Sequence, residues 1–363
     1  KPDPKTGQPN RYEIGLFDIQ DPGNKNNIDR LEELYIKYSW KKTHLAFGKQ
    51  LINTPFINLQ DGRMRPTEVG GVYGEVKDIK NTKIEGGFIY QISPRSTVEW
   101  FKVGASIGVN PQGVNAEGGK SDYAGNLKSK GIVLLGITHA INNNLSFKVW
   151  DVFVENIFNT TLLQADFSYP LFNNGSFIAG LQYIRQDAIK DGGNSIPSKT
   201  YFEKKGKSNV WGATAGWKNN HWQASVNYTR ITDDGRFLMP REWGREPLFT
   251  FLPRERNDGF GDLNAYLVKA TYRLPKGFLK LEPGLGYYDL PEITNYALNK
   301  YSMPSYVQFN FDAIYSYKGL LKGLETRFLF VHKWKKGDTY DNDKYEINKV
   351  NFSLWNLIFN YNF

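Results

Sequence analysis

The chain has 363 residues, with 46 Lys and Arg against 37 Asp and Glu, a net charge of +9 and no cysteine. The missing thiols exclude a disulfide framework and a Cys-ligated metal site. A mean hydropathy of −0.53 excludes a bundle of spanning helices, each of which needs roughly 20 consecutive apolar residues. The basic residues scatter along the chain without forming a block, so the charge does not argue for nucleic acid.

No signal peptide is visible at Lys1, and a mature or truncated chain is expected. Residues 1–30 are polar and rich in Pro, Gly and Asn, and read as the tail of an external loop. From residue 32 onward the chain falls into alternating segments joined by short polar turns. These turns fall at Lys41-Lys42, Lys80-Asn81-Thr82, Asn142-Asn143-Asn144, Asn173-Asn174-Gly175, Asn219-Asn220, Pro275-Lys276-Gly277 and Gly319–Gly323. Asn, Gly and Pro are the residues that tight hairpins demand. The intervening connections are long, at 51–68, 93–130, 187–208, 232–262, 290–305 and 334–348, and only the one near 155–160 is short. Short turns on one side and long loops on the other mark an outer-membrane barrel, with the short side periplasmic.

Alternation supports the same fold. In 210–218, Trp211, Ala213, Ala215 and Trp217 oppose Gly212, Thr214, Gly216 and Lys218. In 221–229, Trp222, Ala224, Val226 and Tyr228 oppose His221, Gln223, Ser225, Asn227 and Thr229. In 306–317, Val307, Phe309, Phe311, Ala313 and Tyr315 oppose Gln308, Asn310, Asp312 and Ser316. A soluble sandwich alternates too, but segments of roughly 9–11 residues suit a tilted membrane crossing. Aromatic residues make up 15% of the chain, as interfacial girdles require. The last segment, 349–363, puts Trp355, Leu357, Phe359, Tyr361 and Phe363 on one parity, and resembles the C-terminal signal read by barrel-assembly machinery. The predicted fold is an all-β, transmembrane antiparallel β-barrel, with about 15 strands in this chain. Single-chain bacterial barrels have even strand numbers and both termini in the periplasm. An odd number of N-terminal strands is therefore expected to be missing or to lie on another chain.

Two segments carry a family resemblance. Residues 43–71, THLAFGKQLINTPFINLQDGRMRPTEVGG, and residues 237–262, FLMPREWGREPLFTFLPRERNDGFGD, resemble loops of the OprD family of outer-membrane porins. The resemblance implies about eighteen strands around a pore narrowed by inward-folded loops, here 51–68 and 232–262. Aligned on the first loop, three strands would precede the first one here, in agreement with the parity expectation. It also implies passive diffusion of small, often carboxylate-bearing solutes, guided by a ladder of basic residues. Asp61, Arg63 and Pro66 match the first loop's Asp-x-Arg-x-x-Pro element, and Arg65 stands where an apolar residue is expected. The second loop offers Arg241, Arg245, Arg254 and Arg256 beside Glu242, Glu246 and Glu255, as pore groups or as ion pairs that shape the loop.

Arginine stays ionised and offers a planar donor fork that fits a carboxylate. Parity places Lys269, Arg273, Lys280, Arg327 and Lys333 on the water-facing side, as one basic wall or as ordinary lumenal solvation. The expected partners are outer-membrane lipid and lipopolysaccharide, small solutes, and an N-terminal fragment or second protein that completes the barrel. A general non-selective porin and a barrel subunit of a larger envelope complex are the alternatives. No cofactor or metal is expected. His44, His139, His221 and His332 are widely spaced, and the acidic cluster Asp338, Asp341, Asp343 and Glu346 lacks an EF-hand pattern. An enzymatic site is not expected either, since Ser225 and His221 lie about 13 Å apart along one strand.

Overall fold

In the computed structural model the described residues are 18, 21, 23–59, 66–95, 97–110, 113–171, 174–275 and 277–362. They form one antiparallel sheet in which each strand pairs with the next in sequence. The strands on its path are β1 (Leu34–Trp40), β2 (Thr43–Gln50), β3 (Glu68–Val76), β4 (Thr82–Ser93), β6 (Ile132–Ala140), β7 (Leu145–Val154), β8 (Phe158–Pro170) and β9 (Ser176–Ala188). They continue as β10 (Lys207–Lys218), β11 (Trp222–Ile231), β12 (Leu263–Arg273), β13 (Leu279–Asp289), β14 (Tyr306–Ser316), β15 (Leu324–Lys335) and β16 (Phe352–Tyr361). A two-residue β5 (Phe101–Lys102) pairs with β4 off this path. The fifteen expected strands are therefore all present, and the seven expected turns fall between hairpin-paired strands, with Asn173 and Lys276 lying outside the described residues. Among the described residues β1 pairs only with β2, and β16 only with β15. Among the described residues no helix is long and apolar enough to cross a membrane.

Residue type explains the turns. Asn81 and Asn174 take φ of 57° and 55°, a left-handed conformation that asparagine tolerates better than most residues. Gly48, with φ of 135°, lies where a Cβ would come 2.2 Å from the Leu34 carbonyl oxygen of the neighbouring strand. Only glycine lets β1 and β2 approach there.

The two faces of the sheet differ as the alternation requires. On β11, Val226 is 57% exposed while its neighbour Asn227 is 6% exposed. Leu181, Trp211, Val268, Leu285 and Trp355 share the outer face with Val226 and are likewise exposed. Such a continuous apolar belt has no stable place in water. Aromatics border it at both ends. Near the short turns Trp222 packs on Tyr272 at 4.4 Å between ring centres, and near the long loops Tyr183 packs on Trp211 at 4.4 Å. These are the two interfacial girdles of a membrane barrel.

Toward the long-loop end the inner face is covered by loops rather than solvent. Ile52, Phe56 and Ile57 of the loop after β2, Val103 and Ile107 after β4, Tyr201 and Phe202 after β9, and Phe237, Leu238 and Trp243 after β11 join inward strand residues in one core. That core lies inside the barrel, toward the long-loop end.

Val226 pairs with Val268 near the middle of the outer face. Val226→Arg is expected to lower stability in vesicles by about 2–4 kcal/mol, read from denaturant titration of the folded barrel. Val226→Leu should be close to neutral.

Candidate pore constriction

The loop at 232–262 crosses the interior and is held from one strand after another. Gln186 of β9 binds both sides of Leu238, donating to its carbonyl at 2.7 Å and accepting from its N–H at 2.8 Å. Gln182 of the same strand donates to the Pro247 carbonyl at 3.1 Å. Thr250 donates to Thr229 of β11 at 2.8 Å, and Tyr288 of β13 donates to the Thr250 carbonyl at 3.1 Å. Gln308 and Asn310 of β14 both donate to the Pro253 carbonyl, at 3.1 and 2.8 Å. Lys333 of β15 pairs with Glu255 at 2.7 Å, and Arg254 donates to Asn356 of β16 at 3.2 Å. Buried carbonyls need donors, and inward-facing amides one parity away from the apolar belt supply them.

Other loops fasten the opposite margin. The Asn58 side chain donates to the Arg245 carbonyl at 2.8 Å and accepts from the Arg245 N–H at 3.1 Å. Glu242 accepts from the backbone N–H groups of Gly108 and Asn110, at 3.0 and 2.7 Å. The Trp243 indole donates to Ser106 at 2.9 Å. Gly244, with φ of 148°, passes so close to Asn58 that a Cβ would sit 2.5 Å from its Oδ1.

The loop's own charges divide into two groups. Arg256 lies between Asp258 at 2.8 Å and Glu246 at 3.2 Å, and Arg241 stacks on Tyr301 at 4.2 Å and approaches Asp258 at 3.5 Å. Burial acts to raise the Asp258 carboxyl, but the guanidinium groups of Arg256 and Arg241 outweigh it and hold it below the usual range. At Glu246 burial dominates its Arg256 partner, and the carboxyl is raised. These groups hold the loop's shape. Arg245 and Arg254, by contrast, are exposed on it.

Lys269, Arg273, Lys280, Arg327 and Lys333 all share the inward parity of their strands. They do not form a bare basic wall. Arg327 donates from Nε to both oxygens of Asp312, at 2.9 and 3.0 Å, Lys280 meets Glu282 at 2.6 Å, and Lys333 meets Glu255. Lys269 donates to the Phe249 carbonyl at 3.4 Å. A charge on a partly buried wall is costly without an opposite one nearby, which is why acids accompany the bases. Asp61, Arg63 and Arg65 lie outside the described residues.

Sequence reasoning missed two clusters. On the inner side of β1–β4, beside a cavity of about 360 Å³, Lys83 bridges Glu85 at 2.7 Å and Glu75 at 3.4 Å, and Tyr73 donates to Glu85 at 3.0 Å. The inward parity of these residues was the available signal. The second lies among the long loops. There Lys300 is buried against Tyr123, and burial together with repulsion from Arg236 pushes its amine down to about 7. No periodic pattern marks that site.

The sequence profile described as outer membrane porin, OprD family, matches residues 11–254. The chain belongs to the OprD family. Among solved structures, OccK3 (OpdO) of Pseudomonas aeruginosa superposes with a TM-score of 0.64 at 15% identity, covering 82% of this chain and 73% of that one. OccAB2 of Acinetobacter baumannii gives 0.66 at 16% identity, covering 88% and 78%. OpdK of Pseudomonas aeruginosa, crystallised with vanillate, gives 0.65 at 12%, covering 84% and 73%. Identities this low speak for the fold alone. No curated protein matches the chain. OprD-family porins are outer-membrane β-barrels, the setting in which an apolar belt such as this one faces lipid.

In this OprD-family barrel the Lys333–Glu255 pair joins wall to loop with both side chains less than a tenth exposed. Lys333→Met leaves Glu255 buried without a counter-charge and is expected to cost about 3–5 kcal/mol. Thermal unfolding should report it, and limited proteolysis should begin within 232–262. Gly244→Val should loosen the same loop at its Asn58 margin, with bursts of excess current noise in planar bilayers.

Proposed function

We propose that the chain is a channel of the outer membrane of a Gram-negative bacterium, for passive and selective diffusion of small polar solutes that bear a carboxylate. The supporting observation is the loop at 232–262, held across the interior with Arg245 and Arg254 exposed on it. Lys269 of the wall reaches the same loop at the Phe249 carbonyl, 3.4 Å away, with Glu282 and Arg245 both near enough to act on its charge. Family and fold are those of a channel rather than an enzyme.

In this reading Arg245, Arg254, Lys269, Arg273, Lys280 and Arg327 guide the anion. Acids beside several of them temper each site, so that no step holds the solute too tightly to release it. Arg241, Arg256 and Lys333 act indirectly by fixing the loop. Asp61 and Arg63 enter the proposal on the family loop pattern alone, and Arg65 on its place in the same loop, where that pattern has an apolar residue. OpdK's vanillate is itself a carboxylate, which agrees with the class proposed here. Lipid offers the edges of β1 and β16 no water, so further strands, in the same polypeptide or a second one, are proposed to join them and complete the barrel. Lipopolysaccharide is the proposed neighbour of the girdle near the long loops.

Reversal potentials in planar bilayers test the selectivity. Gluconate should permeate better than a cation of similar size, and Arg245→Ala should reduce that preference by about three- to tenfold, as expected when one solvent-exposed contact of about 1 kcal/mol is lost. Equal permeability in the parent protein would identify a non-selective porin. A protein that conducts nothing and purifies at fixed stoichiometry with a partner would instead be an envelope-complex subunit.

A further inference from the structure

The chain's positive charge is not spread evenly over the barrel. The connections on the short-turn side, residues 41–42, 77–81, 141–144, 171–175, 219–221, 274–278 and 317–323, hold seven lysines and one acid, Asp78. That is a net +6 of the chain's +9. On the opposite side the 232–262 connection sets five arginines against seven acids. The lysines are also bunched along the rim. Lys41 and Lys42 lie between β1 and β2, Lys77 and Lys80 between β3 and β4, and Lys318 and Lys322 between β14 and β15. The three turns from β6 to β11 carry asparagines and no lysine.

Little within the protein answers these charges. Lys77 bridges Glu75, whereas Lys41, Lys42, Lys80 and Lys322 are exposed and form no ion pair among the described residues. Asp78 accepts from the Lys42 N–H at 3.1 Å and the Thr43 hydroxyl at 2.6 Å, which ties the first two lysine turns together. Its charge is near enough to Lys41 and Lys42 to act on them, but it bridges neither. The same turns expose apolar side chains. Trp40, the last residue of β1, is exposed with the Lys41 ammonium 5.1 Å from its ring centre. Ile79 is exposed beside Lys80, and Leu320 and Leu321 are exposed between Lys318 and Lys322. Trp40 shares the outward parity of Ile36 and Tyr38, so this rim continues the apolar belt.

Outer-membrane barrels hold their short turns in the periplasm, beside the phospholipid leaflet of the membrane. A soluble polyanion there would meet the lysines and leave Leu320, Leu321 and Ile79 in water. A lipid surface meets both, since apolar side chains enter the acyl boundary while long lysine stems carry their ammonium groups to phosphate level. We propose that the turns β1–β2, β3–β4 and β14–β15 form a binding face for anionic phospholipid headgroups of the inner leaflet. Phosphates sit on the lysines, and Trp40, Ile79, Leu320 and Leu321 sit at the acyl boundary. The face enriches anionic lipid on one side of the barrel's circumference. It rests on the outer-membrane reading and not on what the channel conducts.

The chain has no cysteine, so a fluorophore on Leu321→Cys reports the β14–β15 turn alone, and one on Asn143→Cys the lysine-free β6–β7 turn. The full chain is reconstituted in phosphatidylcholine vesicles. These hold a small, equal fraction of phosphatidylglycerol or phosphatidylcholine with a nitroxide near the head of one acyl chain. Quenching at Leu321→Cys should show phosphatidylglycerol enriched about fivefold, the effect of one lysine at an anionic surface. At Asn143→Cys the two lipids should quench alike. Lys318→Gln combined with Lys322→Gln should bring them to within about twofold at Leu321→Cys, as should about 1 M salt. Equal quenching by both lipids at Leu321→Cys, or enrichment that survives loss of both lysines, overturns the assignment. So does an absence of quenching there by either lipid, the result expected of a turn that serves a soluble acidic partner. Planar-bilayer recordings separate this face from the channel. Carboxylate-selective current without lipid enrichment overturns the lipid face alone, and enrichment around a barrel that conducts nothing overturns the channel alone.

Discussion

Hydrocarbon offers a peptide group no hydrogen-bond partner, and the whole architecture answers that fact. Each N–H and C=O within the lipid layer must meet a neighbouring strand, which dictates the unbroken antiparallel ladder from β1 to β16. Hairpin after hairpin is the shortest way to thread such a ladder. With one face in oil, every second side chain is apolar, and the alternate set is free to be polar. The Val226 and Asn227 contrast is this rule at one residue pair. The wet interior is thus a consequence of the oily exterior, and it supplies the side chains from which a channel can be built.

Those interior side chains serve the loops first. Gln182, Gln186, Gln308 and Asn310 bind backbone atoms of the loop at 232–262, where an irregular segment would otherwise bury unmet carbonyls. The ion pairs follow the same logic at higher stakes. Asp258, Glu246, Arg256 and Arg241 form a compact group whose burial is tolerable because each charge has an opposite one nearby. The arginines that remain exposed, Arg245 and Arg254, lie on a segment whose shape is fixed largely by other residues, with Arg254 adding one bond to Asn356.

The strands, their faces and their turns were legible in the sequence because a period of two and the turn residues are local signals. Trp211, Val226 and Phe309 announced the outer face without reference to any partner. The inward placement of Lys269, Lys280 and Arg327 followed from the same parity. Their acidic companions Glu282 and Asp312 did not stand out, since pairing depends on rotamer and register as well as on parity. Contacts such as Thr67 with Glu242, or Lys300 with Tyr123, join residues more than a hundred positions apart in irregular loops. No periodicity records them, and so the burial of Lys300 has no signature in the sequence.

The fastening of the 232–262 loop relies largely on uncharged amides and hydroxyls. Dissolved electrolyte screens attraction between accessible ions within about 3 Å at 1 M, but it leaves a buried amide-to-carbonyl bond almost untouched. Brine and dilute medium should therefore meet an aperture of the same width. What changes with salinity is the pull of the exposed guanidinium groups on a passing anion, so discrimination fades in concentrated salt while the opening itself endures.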